Sequence, residues 1–245
     1  ISVITITLNA EKYLEQTIQS VLNQTYKNIE YVIIDGASTD GTLGIIEKYK
    51  NAIDHIISEK DEGIADAMNK GTALAKGDYI IFLHADDYFV NENAIEAVVE
   101  KMDNTEDIVA CIIQYGERQS TCKPRGFDFW FNFKQGIYHQ GVVCRLDLIK
   151  KLNGFDMQFS IAMDYDFFLR AYHRGAKLVK VPAILSVMRD TGISSRRDWQ
   201  SLKVRFDEER RVHEKNCRSS SMRILYKLYW FLYLPYRKAS YFMKN

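Results

Sequence analysis

Residues 78–87 read DYIIFLHADD, an apolar run that ends in two adjacent acids, Asp86 and Asp87. The apolar residues predict a buried strand over 78–84, with His84 facing away from the acids. Adjacent carboxylates repel each other and lose hydration near a protein interior, so they need a compensating cation or a set of donors. A divalent metal ion is one such cation. The other interpretation is a helix cap or a solvent-exposed turn, since aspartate is common at both.

The first hundred residues alternate between strand and helix patterns. Strands are predicted at 2–8, 29–35 and 54–58, in addition to 78–84. A helix follows each of the first three strands, with Asn9 as the expected N-cap of the first helix. Near-continuous apolar strands separated by helices are typical of an α/β fold whose mostly parallel sheet is covered on both faces.

Polar side chains follow each of these four strands. They are Thr7, Asn9, Asp35, Glu59, Asp61, Asp86 and Asp87. Ligands of parallel sheets bind beyond the carboxyl ends of the strands, where these side chains converge. A single acid there is explained by a cap, but polar groups from four strand ends favour a ligand site.

The second half of the chain has a more mixed pattern. A helix is predicted at 92–103 and a strand at 108–115, which together complete the sheet. The stretch 116–136 is irregular and rich in aromatic and basic residues, which suits either a flexible substrate-facing loop or an ordinary loop packed under the domain. The remaining elements are a strand at 137–145 and helices at 147–156 and 163–175.

The composition excludes several classes of protein. The 245 residues suffice for one large α/β domain, and a net charge of +1 argues against a nucleic-acid binder. Four scattered cysteines indicate neither a zinc site nor a disulfide framework, which favours a reducing, cytoplasmic setting. We see no signal peptide and no apolar stretch of membrane-spanning length.

The C-terminal segment 219–245 differs from the rest of the chain. Basic residues alternate with Tyr, Trp, Phe and Leu, and no acid follows Glu214. This pattern suits a helix lying in a membrane interface, here the inner face of the cytoplasmic membrane. The alternative is a C-terminal helix packed on the domain or on a second subunit of a homodimer. In either case Pro235 is expected to break a long helix.

Four segments resemble the family 2 glycosyltransferases, which have the GT-A fold and transfer sugars from nucleotide diphosphates with inversion. They are TITLNAEKYLEQTIQSVLNQTYKNIEYVIIDGASTDGT (5–42), EKDEGIADAMNKGTALAKGDYIIFLHADD (59–87), YHQGVVCR (138–145) and AMDYDFFLR (162–170). Their order and spacing match the family, and together they make a specific signal. The resemblance implies a GT-A domain at 1–195, with a nucleotide-sugar half (1–115) and an acceptor half (116–195). A helical extension, 196–245, follows.

The resemblance also implies a donor pocket. Asp35 matches the acid that accepts a hydrogen bond from the nucleotide base, and Thr7 and Asn9 match residues that line the same pocket. Asp61 and Gly63 match the segment beside the diphosphate and the base. Asp66 and Asn69 match the helix below that segment.

The two acids and a later aspartate match the catalytic centre of the family. Asp86 matches the ribose contact and Asp87 the ligand of Mn²⁺ or Mg²⁺, although Ala85 occupies the first position of a strict DxD motif. Asp164 matches the general base. Many members read Glu-Asp where this chain has Met163-Asp164, so Asp166 stays an alternative base further into the helix.

Four more residues match substrate contacts in the family. His139 and Gln140 lie in a segment beside the donor or acceptor sugar, and Arg189 and Ser194 in a loop that closes over the donor phosphates. For His139, a packed or hydrogen-bonded histidine is the alternative.

The function that the resemblance implies is metal-dependent, inverting transfer from a nucleotide sugar, a UDP-sugar, to a saccharide on a polyprenyl-linked acceptor. A catalytically silent nucleotide-binding module is a second hypothesis, against which the presence of Asp164 argues. A sugar nucleotidyltransferase is a third. It would carry a Gly-rich, basic loop after the first strand, whereas TLNAEKYL (7–14) contains neither glycine nor arginine.

Overall fold

Nine strands form one mixed sheet in the computed structural model, which describes residues 1–192 and 195–243. The strands are β1 (Ser2–Thr7), β2 (Glu30–Asp35), β3 (His55–Ser58), β4 (Tyr79–Phe82), β5 (Tyr88–Phe89), β6 (Ile108–Tyr115), β7 (Ser120–Cys122), β8 (Val142–Arg145) and β9 (Leu178–Met188). The helices are α1 (Leu14–Leu22), α2 (Thr42–Tyr49), α3 (Ile64–Leu74), α4 (Ala94–Val99), α5 (Leu146–Lys151), α6 (Met163–His173), α7 (Trp199–Lys215) and α8 (Ser220–Phe242).

Half of the sheet is parallel, in the order β3-β2-β1-β4. Thr7, Asp35 and Ser58 are register partners at the carboxyl ends of three of these strands. The prediction of a mostly parallel sheet flanked by helices is confirmed, and the predicted polar edge lies at the ends of these strands.

The other half of the sheet contains a long strand that the sequence analysis did not identify. β9 pairs in parallel with β6, but the register shifts between Cys111, which pairs with Val181, and Ile112, which pairs with Ile184. Pro182 lies within this irregularity, where its missing N–H group costs no ladder hydrogen bond. A proline within an apolar run argues against a strand, so the sequence does not predict β9. The pairing with β6 forms the strand nevertheless.

Three local predictions are wrong. Asn9 does not cap α1, which begins only at Leu14; Asn9 has φ +49° and its side-chain oxygen accepts a hydrogen bond from Thr39 N (2.9 Å). The helix predicted at 92–103 is limited to Ala94–Val99. Pro235 does not break α8, because the carbonyl that loses its donor belongs to Phe231, which is 75% exposed and accessible to water.

Each face of the sheet packs on its own set of helices. Along β1 the side chains alternate, so that Val3 faces the helices α1 and α2 and Ile4 faces α3. On the α3 side the approach is close: a Cβ atom on Gly71 would lie 2.4 Å from the Cγ2 atom of Ile4. The two apolar clusters hold the strand ends in fixed positions.

The C-terminal helices α7 and α8 pack against the α6 side of the domain. Buried Glu208 accepts hydrogen bonds from the backbone N–H groups of residues 160, 161 and 162, directly before α6. Burial lowers the pKa of His213 to about 3, and the neutral ring accepts from Trp230 (2.9 Å) and contacts the Tyr165 hydroxyl (2.9 Å). These contacts join the predicted extension to the predicted acceptor half; the domain boundary at residue 195 stays a prediction.

Membrane-spanning potential is absent from the described helices. Among residues 1–192 and 195–243, no helix combines the length and the apolar character that crossing a bilayer requires.

The contact between α3 and β1 leads to a test of the packing. Gly71→Ala should lower the free energy of unfolding by about 1–3 kcal/mol, because the new methyl group overlaps Ile4 and forces the helix away. Gly44→Ala in α2 is the matched control: nothing lies within 4 Å of its Cβ position, so it should raise that free energy by up to about 1 kcal/mol. Urea unfolding measures both changes, and equal effects would contradict the close approach.

Candidate active site

One cavity of about 410 Å³ gathers side chains from distant parts of the chain. Six of the predicted site residues line it, namely Asp86, Asp87, His139, Gln140, Asp164 and Arg189. Ser194 lies outside the described residues. The other seven predicted residues, Thr7, Asn9, Asp35, Asp61, Gly63, Asp66 and Asn69, lie outside the lining of this cavity.

The two acids after β4 stand on a turn that α1 and the end of β9 hold in place. Asp87 N donates to the carbonyl of His84 (2.9 Å), and the Thr17 hydroxyl lies 2.7 Å from the Asp87 carbonyl. Asp87 Oδ1 accepts from the backbone N–H of Arg189 (2.9 Å). Asp86 is less buried and accepts from the Thr191 hydroxyl (2.7 Å).

Asp87 carries an energetic cost when it is ionised. Its side chain is only 2% exposed, and burial, followed by the neighbouring charge of Asp86, raises its pKa well above the usual value. Hydrogen bonds from Arg189 and Gln140 offset part of this effect. The carboxylate therefore lacks a full positive counter-charge in the protein itself.

The pair suits a hard divalent cation that shares its coordination with a substrate. Mg²⁺ and Mn²⁺ typically take one or two carboxylates from the protein and complete their shell with phosphate oxygens and water. Asp86 and Asp87 supply that number of oxygen ligands. Within the described part of the chain, no group of three or more Asp, Glu, His or Cys residues is arranged to hold an ion unaided.

Arg189 is fixed beside the acids. Its guanidinium stacks between Tyr13 (4.5 Å to the ring centroid) and Tyr88 (4.8 Å). It also donates to the backbone carbonyl of Asp86 and to the side-chain oxygen of Gln16. Arg189 thus supports the turn, and the phosphate contact that was expected of it stays a prediction.

Asp164 lines the same cavity as the two acids, from the first turn of α6. One of its oxygens accepts from the backbone N–H of Tyr165 (2.7 Å), and the other lies 3.4 Å from Nδ1 of His139. Asp166 lies elsewhere: it is fully buried and binds Arg170 (2.7 Å) and Lys215 (3.0 Å). Of the two candidate bases, only Asp164 lines the cavity.

His84 lines the same cavity, so the prediction that it faces away is wrong. The chain turns after Phe82, and strand alternation no longer sets the direction of the His84 side chain. Its ring lies 4.4 Å from the ring of His139, and the Nε2 atom of each is buried with no hydrogen-bond partner in the described chain. Burial, followed by the neighbouring His139, lowers the pKa of His84 well below its usual value.

The ends of β1, β2 and β3 carry a separate cluster of polar side chains. Asp35 is fully buried and accepts from the N–H of Ser38 (3.0 Å) and from the hydroxyl of Ser58 (2.7 Å). The hydroxyl oxygen of Thr7, its register partner, is buried with no partner in the described residues. A buried hydroxyl without a partner is costly, so this position is suited to a bound polar group. Asn9, described above, holds the adjoining loop.

The segment before α3 connects this polar cluster with the cavity. One oxygen of Asp61 accepts a hydrogen bond from the N–H of Gly63 (3.0 Å). A Cβ atom on Gly36 would lie only 2.5 Å from the other oxygen of Asp61, so the close contact requires a glycine there. Gly63 has φ +116° and ψ −179°, a conformation open to glycine alone. Ile64, the next residue, already lines the cavity.

Two predicted residues of α3 bind the protein itself. Asp66 accepts from Glu62 N (3.0 Å) and pairs with Lys70 (3.2 Å). Both ends of the Asn69 amide bind the backbone of Phe155 (2.8 Å each). They position the segments around the site, and their predicted nucleotide contact stays a prediction.

The C-terminal helices contribute a wall of the cavity that the sequence analysis did not identify. It consists of Arg205 and Glu209 on α7 and Tyr233 and Arg237 on α8. In each pair the residues are four apart, so they share a helix face. This spacing was the available signal, but nothing in the sequence indicated where that face packs.

Comparison with known proteins shows the family of this chain. The model of glycosyl transferase family 2 matches residues 2–176. An uncharacterized glycosyltransferase of Mycobacterium tuberculosis is 32% identical over 206 residues, which cover 81% of this chain and 78% of the relative.

Two solved structures are similar in fold. Residues 1–349 of S. aureus TarS, in complex with UDP-GlcNAc, give a TM-score of 0.69 at 20% identity, over 88% of this chain and 65% of that one. The mannosyltransferase PcManGT from Pyrobaculum calidifontis, in complex with GDP-Man and Mn²⁺, gives 0.68 at 19% identity, over 96% and 70%. These likenesses show the GT-A fold, and the family match shows that this chain belongs to the family 2 glycosyltransferases.

Proposed function

We propose that this protein transfers a sugar from a UDP-sugar to a saccharide on a lipid-linked acceptor, with inversion and with the help of Mg²⁺ or Mn²⁺, in the assembly of a surface polysaccharide. One observation carries the proposal: Asp87 and Asp164, 77 residues apart in sequence, line the same cavity. Their meeting in one cavity supports a cation ligand and a base that act on the same substrate. The bound UDP-GlcNAc of the TarS structure and the Mn²⁺ of PcManGT support the choice of donor and ion.

The polar cluster at the ends of β1, β2 and β3 is the proposed nucleotide site. The unpartnered Thr7 hydroxyl and the buried Asp35 carboxylate provide hydrogen-bonding groups for a base. Asp35 already accepts three hydrogen bonds from Ser38 and Ser58, which leaves about one acceptor position for a ligand. Beside this cluster, Gly36 leaves room for the Asp61 carboxylate, and nothing lies within 4 Å of the Cβ position of Gly63.

The chemistry requires a base and a stabilised leaving group. Asp164 accepts the proton of the acceptor hydroxyl as that oxygen attacks the anomeric carbon on the face opposite the nucleotide, which inverts the configuration. His139 lies beside Asp164 and orients its carboxylate. When bound at Asp87, the cation would supply positive charge to the departing diphosphate, with Asp86 beside it as the ribose contact.

Replacement of the base tests the proposal directly. Asp164→Asn should lower the rate of sugar transfer by about 10²- to 10⁴-fold, the usual contribution of general-base catalysis, while UDP binding measured by calorimetry stays unchanged. Asp147→Asn, an exposed acid in the first turn of α5, is the matched control and should retain full activity. A fully active Asp164→Asn variant would exclude this role. Wild-type protein that binds UDP but transfers to no acceptor would instead support the silent binding module.

Replacement of the buried acid after β4 separates catalysis from stability. Asp87→Asn should lower transfer by about 10²-fold or more, since a Lewis-acid cation contributes several kcal/mol. The same variant should unfold at a higher temperature at pH 7 without metal. A raised pKa means that the carboxylate form destabilises the fold once the pH exceeds the ordinary value, and the amide removes that charge.

Metal removal provides the control for this experiment. The transfer activity of the wild type should be lost in a chelator and return when Mn²⁺ is added. The activity of Asp87→Asn should not rise when Mn²⁺ is added. Undiminished wild-type turnover in the chelator would contradict the role of the cation.

The exposed face of α8 suggests where the enzyme meets its lipid-linked acceptor. Its exposed apolar residues are Ile224, Leu225, Leu228, Phe231, Leu232, Tyr236 and Phe242. Exposed Arg223, Lys227 and Lys238 flank them, and no acid follows Glu214. This combination favours peripheral binding to an anionic membrane over contact with neutral lipid.

Vesicle binding tests that face. The protein should co-sediment with phosphatidylglycerol vesicles, less so at high salt and hardly at all with phosphatidylcholine. Leu228→Glu combined with Phe231→Glu should abolish sedimentation, and Val204→Glu, at an exposed position on α7, should not. If the double variant instead turns a dimer into a monomer and leaves vesicle binding intact, the face is a subunit interface.

A further inference from the structure

A second cavity, of about 700 Å³, lies where α7 begins and α8 ends. It shares Tyr115, Ser195, Arg205 and Arg237 with the cavity lined by Asp87 and Asp164, so the two cavities adjoin. We name it the basic cavity; the rest of its lining is Arg196, Arg197, Asp198, Leu202, Ser240 and Tyr241.

The basic cavity carries four arginines and one acid. Asp198 is already used, because its side chain accepts from Ser201 N (2.9 Å) as the N-cap of α7. Arg196 and Arg197 are exposed and form no hydrogen bond or ion pair with the described chain. The cavity therefore presents guanidinium charge that the protein does not neutralise.

The other two arginines contact side chains of α7 and α8. Arg205 lies 3.4 Å from the carboxylate of Glu209, yet its Nε atom is buried without a hydrogen-bond partner. Arg237 stacks on Phe206 (5.1 Å) and donates to the Tyr233 hydroxyl (2.7 Å). The hydrogen bond and the stacking order Arg237 in advance, which reduces the entropy that it loses on binding an anion.

Clustered guanidinium groups favour a particular kind of anion. The fork of N–H donors on arginine matches phosphate oxygens in a bidentate manner, and several forks together suit adjacent phosphates. The N-terminal end of α7, which is 17 residues long, adds a partial positive charge at the same place. Because the proposed function places the donor diphosphate at Asp86 and Asp87, a second phosphate group must come from another molecule.

The position of the cavity indicates which molecule. Arg237 lines it, and the next residues on either side, Tyr236 and Lys238, lie on the exposed face proposed to meet the membrane. A ligand anchored in the membrane could reach the basic cavity from α8 and extend through the shared lining to Asp164.

We propose that the basic cavity binds the diphosphate of a lipid-linked acceptor and so directs the attached saccharide to Asp164. This inference rests on the proposed function and adds the chemical group by which the acceptor is recognised. The same arginines would also bind free pyrophosphate, so the test must separate the lipid diphosphate from that source and from the donor diphosphate.

Farnesyl diphosphate is the probe, titrated by calorimetry into the full chain with saturating UDP and Mn²⁺ present. It should bind with UDP in place, and Arg196→Ala combined with Arg197→Ala should weaken it at least tenfold. The matched control variant is Lys203→Ala combined with Arg210→Ala, which removes two positive charges from exposed positions of α7 outside the cavity. This variant should bind farnesyl diphosphate as tightly as the wild type does. Farnesol should not bind, and pyrophosphate should bind more weakly than the probe.

Several results would overturn the proposal. If the probe binds without UDP but not with saturating UDP, it occupies the donor site. Unchanged affinity in the arginine variant, or an equal loss in the control variant, would exclude a specific site. Pyrophosphate binding as tightly as the probe would point to the free anion. Failure of the proposed function would be recognised separately, as a wild-type protein that does not bind UDP, and both double variants should keep the wild-type unfolding midpoint.

Discussion

The buried carboxylate of Asp87 is the constraint around which this site is built. It is 2% exposed next to another acid, and its ionised form is costly without added positive charge. The protein supplies only partial compensation, through the Arg189 backbone and Gln140. This cost is the physical basis for proposing a cation and a phosphate group at this position.

The surrounding structure keeps that carboxylate in place through contacts from remote segments. Thr17 on α1 binds the turn that carries it, and Arg189 after β9 is clamped between Tyr13 and Tyr88. Donors that are fixed before the substrate arrives need no reorganisation during the reaction. The same principle applies to Asp164, whose position depends on the backbone contacts of Glu208 just before α6.

The C-terminal helices belong to the catalytic architecture as much as to the proposed membrane contact. One face of α8 packs through Tyr226, Tyr229 and Trp230 on Phe133 and on His213 of α7, while the opposite face is exposed. Tyr233 and Arg237 continue the packed face, four and eight residues after Tyr229, and line the cavity. A single helix thus carries the apolar surface on one face and lines both the basic cavity and the cavity of Asp164 with the other.

The sequence by itself determined the parallel half of the sheet and the acids at its edge, because strand periodicity and strand ends are local properties. It also singled out Asp164, through its resemblance to the family. Only the tertiary structure separated Asp164 from Asp166, placed His84 in the cavity, formed β9 around Pro182 and brought α7 and α8 to the site. Those outcomes depend on pairing and packing between residues far apart in the chain, and no local pattern encodes which distant partner a side chain will meet.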